Sequence, residues 1–277
     1  MINLVLIALA LIWMVFAIVQ DIRKREIADW LNFSLVIFAL GFRFFYALFS
    51  DGSWQIFYQG LIGFGIFLVL GNMFYYLKMF AGGDAKLFMA LGAILPFYES
   101  FSENLEVFFL FLSLFLIVGA IYGLVSILYF IFKNFKKFGK DFSKKFKKQK
   151  NLFWLSLFLA LFFLIFGFSQ KTFLYFSIFV FVIPYFYLAA KVVDESFMIK
   201  KVPIGKLTEG DWLYKDLKFG KKKIKATWDG LTKEDIIYLK KKKVKFILVR
   251  YGVQFSPVFL ISFVLLVLFL KFGFKVF

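Results

Sequence analysis

Long stretches almost free of charge divide the chain, at 3–19, 30–49, 55–79, 85–97, 105–132, 152–168, 171–190 and 255–274. A hydrocarbon layer takes ~20 apolar residues per crossing helix, because inside it every backbone N–H and C=O must be satisfied within its own segment. Eight such runs in 277 residues, 62% of them hydrophobic, predict an all-α polytopic membrane protein with about eight transmembrane helices, and six at the fewest. The run at 85–97 is short: its thirteen residues rise only ~20 Å against a core of ~30 Å. The first run is followed by an acidic loop and carries no small-residue cleavage site, so it reads as a retained helix and not as a removable signal peptide.

Charge placement orients these runs. With the N-terminus outside, the cytoplasmic segments 20–29, 78–86, 133–151 and 191–254 hold 31 of the 35 Lys and Arg residues, as the positive-inside rule requires. The outer connections hold Asp51, Glu99, Glu103 and Glu106. Both termini are therefore expected outside the plasma membrane. The net charge of +18 does not signal nucleic acid, since only Arg23, Arg25, Arg43 and Arg250 carry the guanidinium fork favoured for bases and phosphates. The Lys clusters at 144–150, 221–225 and 240–245 either meet anionic lipid headgroups or form a solvated face.

The expected organisation is a membrane domain over 1–190, with a basic cytoplasmic loop at 133–151. A small basic cytoplasmic domain follows at 191–254, then a C-terminal transmembrane helix at 255–277. The insert is expected to be α+β. Thr232-Lys233-Glu234-Asp235 before Ile236 and Ile237 resembles a capping box. Val244–Val249 reads as a strand, with Lys200–Ile204 and Lys223–Thr227 as its expected partners.

The chain has neither His nor Cys. That excludes a Ser-His-Asp triad, a thiolate nucleophile and any zinc or haem site built on those ligands. Carboxylates lead what remains, and two stand at span ends on the same side: Asp21 after the first run, and Asp84 directly after Gly82-Gly83 and before the fourth. A carboxylate beside hydrocarbon is costly unless paired, hydrogen-bonded or protonated, which makes such residues functional candidates. The glycines permit positive φ or close backbone approach. Asp84 is expected at or near a helix N-cap, held as the anion by free N–H groups and the helix dipole. Asp21, at a helix C-terminus, is expected to keep a proton more readily. Within hydrogen-bonding reach the two would share one proton, one activating water and the other polarising a carbonyl. Lys86 either draws down the pair's titration or extends to the headgroups. Glu26 and Asp29 either attract a basic ligand or cap the second helix.

Asp21, Arg23, Ile27, Trp30, Leu31 and Asn32, with Ala81-Gly82-Gly83-Asp84-Ala85-Lys86, resemble the type IV prepilin peptidase family, most closely its archaeal preflagellin peptidases. The second segment is similar to the family's GxGD motif. Softer similarity lies in Pro203-Ile204-Gly205, Glu209-Gly210-Asp211-Trp212, Gly230-Leu231-Thr232 and Tyr251-Gly252-Val253 leading to Pro257. The chain departs from the pattern at Ala81, where the first motif glycine would stand, and at Ala28 and Asp29, where the family often has proline. No cysteine-bearing loop precedes the motif, so the methyltransferase-associated architecture of many bacterial relatives is not supported.

The resemblance implies an aspartic endopeptidase that removes the short basic leader of prepilins or preflagellins at the cytoplasmic interface. It implies Asp21 and Asp84 as the catalytic pair, Gly82, Gly83 and Lys86 as motif support, and no metal or cofactor. A presenilin-type protease would add a Pro-Ala-Leu segment near the C-terminus and a Tyr-Asp pair in a helix, neither of which is present. The rival outside enzymes is a proton- or ion-coupled transporter carrying charge on the two aspartates. Internal repeats and mid-membrane acids would mark it. A structural membrane subunit of a pilus or secretion assembly would need neither aspartate.

Overall fold

The computed structural model describes residues 2–49, 54–219, 222–242 and 244–273. Ten α-helices lie among them: α1 (Ile2–Lys24), α2 (Asp29–Phe49), α3 (Gln55–Tyr76), α4 (Gly82–Gly92), α5 (Phe101–Lys133), α6 (Phe135–Lys148), α7 (Lys150–Gly167), α8 (Lys171–Phe197), α9 (Lys233–Lys241) and α10 (Ser256–Lys271). Five short strands fall between α8 and α10: β1 (Ile199–Pro203), β2 (Trp212–Leu213), β3 (Leu217–Phe219), β4 (Lys222–Ile224) and β5 (Phe246–Arg250). Six helices, α1, α2, α3, α5, α7 and α8, are long and apolar enough to cross a membrane, while α10 is a shorter apolar helix of 16 residues. The protein is a polytopic all-α membrane protein with a small strand-bearing insert. Asp51, one of the expected outer acids, and the end of the last apolar run lie outside the described residues, as do Lys221 and Lys243 of the lysine clusters.

The chain forms two compact units, residues 1–123 with 254–277, and residues 124–253. In the first, α1 turns Leu6, Ala10, Met14 and Ala17 inward at helical spacing, and α2 does the same with Leu31, Leu35 and Ala39. Their other faces leave large apolar side chains exposed, such as Ile12, Phe16, Phe38 and Phe45. That is the reverse of a soluble helix and fits contact with lipid. Phe67, Phe88, Phe111, Phe115 and Phe259 fill the centre. Their rings meet in tilted or edge-to-face pairs, Phe67 with Phe88 at 4.8 Å and Phe115 with Phe259 at 4.9 Å.

Helix α4 corrects the expected fourth span. It ends at Gly92 after 11 residues, and the chain from 93 to 97 leaves helical geometry while staying largely buried. At 1.5 Å per residue an 11-residue helix rises only ~16 Å, so α4 is packed among the spans and does not cross. Two features hold it there. Gly92 lies against α3, where a Cβ would stand 2.5 Å from Phe67 Cβ and 2.6 Å from the Gly63 carbonyl. The non-helical stretch is satisfied by Arg43 of α2, 1% exposed. Its Nε donates to Ala93 O at 3.0 Å and its Nη2 to Ile94 O at 3.0 Å, with Pro96 O as a further acceptor. Irregular backbone at membrane depth persists only where protein supplies such partners.

In the second unit α7 and α8 form an antiparallel pair joined at 168–170, with Ser177 Oγ donating to Ala160 O at 2.7 Å. The segment 133–151, expected as a basic loop, is mostly the helix α6. Its Phe138, Phe142 and Phe146 recur every four residues with neighbouring rings in contact, the first pair tilted and the second stacked, and Phe146 packs on Phe153 at 4.3 Å. Ser196 Oγ of α8 donates to Asp141 Oδ2 at 2.8 Å, and Lys145 pairs with Glu195.

The insert has its own small core, including Val202, Ile204, Leu213, Leu231, Leu239 and Val249. The capping box forms as expected: Asp235 N–H donates to Thr232 Oγ1 at 3.2 Å, and Thr232 N–H donates back to Asp235 Oδ2 at 3.3 Å. Strand β5 pairs with β1 in antiparallel register, Lys200 opposite Val249. The expected pairing of 223–227 with β5 is overturned: β4 pairs instead with β3, and β2 takes the other edge of β5 in the order β1-β5-β2. Strands of two or three residues carry too little alternation to specify a partner.

Candidate active site

Asp21 lies one turn before the end of α1 and is 8% exposed. The helix does not stop at it, as expected from the sequence, but runs on to Lys24 and closes at Arg25, whose φ is 58°. The α1–α2 link is then only 25–28, braced by Ala28 N–H donating to Gln20 Oε1 at 3.0 Å. So short a link carries the start of α2 back over the start of α4.

Gly83 is where they touch. Neither Gly82 nor Gly83 has positive φ, which among the described residues falls at Gly210, Gly230 and Gly273 for glycine. What Gly83 supplies is closeness: a Cβ there would stand 3.1 Å from Ile27 Cβ and 3.2 Å from Ile27 N. Gly82 is less constrained, its nearest neighbour being Tyr75 at 3.9 Å. Asn32, 1% exposed, donates from Nδ2 to Gly83 O at 3.3 Å. At the rim Lys86 Nζ lies 2.6 Å from Asp29 Oδ1, both side chains partly exposed. Lys86 is therefore committed to Asp29 and not to the aspartate pair.

Asp84 is the third residue of α4, with Ala81 at the N-cap in extended conformation. It reaches back to the Ala81 backbone N–H. Asp84 precedes the apolar run of its short helix and keeps part of its surface accessible. Desolvation and, after it, the negative charge of Asp21 push its carboxyl up to about 7, the Ala81 N–H opposing them. The expectation that the helix terminus holds Asp84 as the anion is thus reversed, because burial and a like charge outweigh one backbone donor. Near neutral pH Asp84 is therefore poised between its protonated and charged forms.

Asp21 has a partner that reading the sequence missed. Ser256, wholly buried as the first residue of α10, donates from Oγ to Asp21 Oδ2 at 2.7 Å, and its backbone N–H lies 3.4 Å from the same oxygen. Ser256-Pro257 is a helix-start signal, but no local pattern shows which carboxylate such a start will meet. Tyr122 also lies within the electrostatic reach of Asp21, and its hydroxyl donates to Gln254 O at 2.9 Å. The site therefore presents one carboxyl held by two donors, beside a second carboxyl that takes up a proton far more readily than an ordinary one.

Residues 8–132 match the model of the type IV leader peptidase family. Among curated proteins the chain is similar to a preflagellin peptidase of Methanocaldococcus jannaschii, 36% identical over 99 residues, or 36% of this chain and 40% of that protein. It is similar to a preflagellin peptidase of Methanococcus maripaludis, 34% identical over 86 residues, covering 31% of this chain and 36% of the relative. The prepilin peptidase EppA of Methanothermobacter thermautotrophicus is 32% identical over 99 residues, covering 36% of this chain and 26% of the relative. The chain thus spans about two fifths or less of the length of these relatives. No solved structure matches it. The segment that matches this family model contains both aspartates, the glycine pair and the α1–α2 link.

Proposed function

We propose that the protein is a membrane-embedded aspartic endopeptidase, with Asp21 and Asp84 as its catalytic residues, that removes short basic leaders from prepilin-like or preflagellin precursors. The relatives' names supply the substrate class. The observation that carries the chemistry is the asymmetric pair: Asp21 held by Ser256, and Asp84 raised beside it. Asp21 takes a proton from a water placed between the carboxyls, and the water oxygen attacks the scissile carbonyl carbon. Asp84 donates its proton toward the carbonyl oxygen as that oxygen gains charge, giving a neutral tetrahedral diol. Collapse then breaks the C–N bond, the amine leaving with the proton that Asp21 acquired, and Asp84 recovers its own from the second hydroxyl. No metal or cofactor enters.

A precursor with a basic leader and an apolar helix would lie in the bilayer with its cleavage site at the cytoplasmic interface, the side on which the Lys and Arg distribution puts both aspartates. Glu26, exposed in the α1–α2 link, offers the leader a negative charge. The transporter alternative gains nothing from this arrangement, since both acids sit at helix ends and one is tied to a buried serine.

Membranes bearing wild type, Asp21→Ala or Asp84→Asn, incubated with a precursor of this kind, test the reading by the mass of the product. Both variants are expected to stop leader removal, and full activity in either overturns the mechanism. The wild-type rate is expected to fall as pH rises through about 7, where Asp84 loses the proton it must donate.

A further inference from the structure

The start of α10 is built into the pair from a distant part of the chain. Ser256 is 235 residues from Asp21 in sequence, wholly buried, and gives both its hydroxyl and its backbone N–H to one carboxylate oxygen. The segment before it is fastened twice. Gln254 O accepts from the Tyr122 hydroxyl at 2.9 Å. The Phe255 ring packs against Phe115 at 5.7 Å and against Phe80 and Phe259 at 6.3 Å. Ser256 therefore stands on a rigid support, as a residue that orients another must.

A carboxylate has two oxygens and rotates about χ2 unless something holds it. With Oδ2 occupied by Ser256, Oδ1 is the oxygen left for a water. We propose that Ser256 is a positioning residue for the proposed peptidase reaction: it fixes the rotamer of Asp21 so that Oδ1 faces the reacting water. This role rests on the catalytic reading of Asp21. Asp84 from α4 and Tyr122 from α5 feel the charge of Asp21, and Ser256 from α10 is hydrogen-bonded to it.

The full-length chain in membranes, given a precursor with a short basic leader, tests the role. Ser256→Ala is expected to lower kcat roughly ten- to hundredfold, the range for losing a hydrogen bond to a charged group, with KM unchanged. Ser256→Thr keeps the hydroxyl and is expected to restore kcat. A purely structural role would lower the amount of active protein and leave the kcat of each remaining active molecule in place. Wild-type kcat per active molecule in Ser256→Ala, with Asp21→Ala inactive, overturns the positioning role alone. Activity in Asp21→Ala overturns the catalytic reading and this role with it.

Discussion

Asp84 is held in the fold at a cost in stability. An acid whose folded pKa lies above its unfolded value binds more protons folded than unfolded between the two, so stability falls as pH rises across that window. For Asp84 the window opens near the ordinary carboxyl value of 3.8 and closes at about 7. The destabilisation is therefore fully present only above neutrality. Asp84→Asn removes the charge while keeping the shape, so it is expected to raise Tm at pH 8 more than at pH 5 while stopping leader removal. Thermal unfolding of the two proteins at both values checks this, and equal shifts at the two pH values would deny that a raised carboxyl causes the difference. At this scale the sequence was only partly legible. Asp21 and Asp84 stand out because acids beside apolar runs are rare, but the burial that raises Asp84 and the Ser256 that holds Asp21 have no local signature.

Among the elements, α4 and the irregular stretch behind it depend most on one distant side chain. Arg43→Leu would leave the carbonyls of Ala93, Ile94 and Pro96 without their donor. Each buried orphan costs about 1–3 kcal/mol, so a loss of roughly 3–5 kcal/mol is expected, read as a lowered unfolding midpoint in detergent. Arg43→Lys is expected to recover little, since a single ammonium cannot span acceptors on both sides of a planar fork. A midpoint within 1 kcal/mol of wild type would show that other groups satisfy this stretch. Local pattern reads such elements unevenly. The cap at Thr232 and the spans of α1 to α3 were visible because caps and apolar runs are local. Helix α6 was hidden because its lysines outnumber the Phe138, Phe142 and Phe146 stripe that makes it a helix. The end of α4 at Gly92 was hidden because residues 93–97 are as apolar as a span and their partner lies on α2.

For the molecule as a whole, the charge distribution predicts which side each connection faces. With no native cysteine, single substitutions report this without background. Ser143→Cys on α6 is expected to react with a membrane-impermeant maleimide only in inside-out vesicles, and Ser100→Cys, before α5, only in intact cells. The opposite pattern would invert the topology and move the proposed cleavage site to the outer face. Six long apolar helices and their order were legible throughout, because hydrocarbon demands one composition over a fixed length. The gathering of α1, α4 and α10 around Asp21 was not, since it depends on contacts between segments far apart in the chain.

That gathering has a consequence for biosynthesis. Translation delivers α1 and α4, with both aspartates, long before α10 leaves the ribosome, and the bond from Ser256 spans 235 positions. A nascent chain can therefore insert its two acids while Asp21 still lacks its fixed orientation. On the catalytic reading proposed above, competence arrives only with α10, and until its synthesis is nearly finished the ribosome-bound chain is a bystander to any substrate beside it.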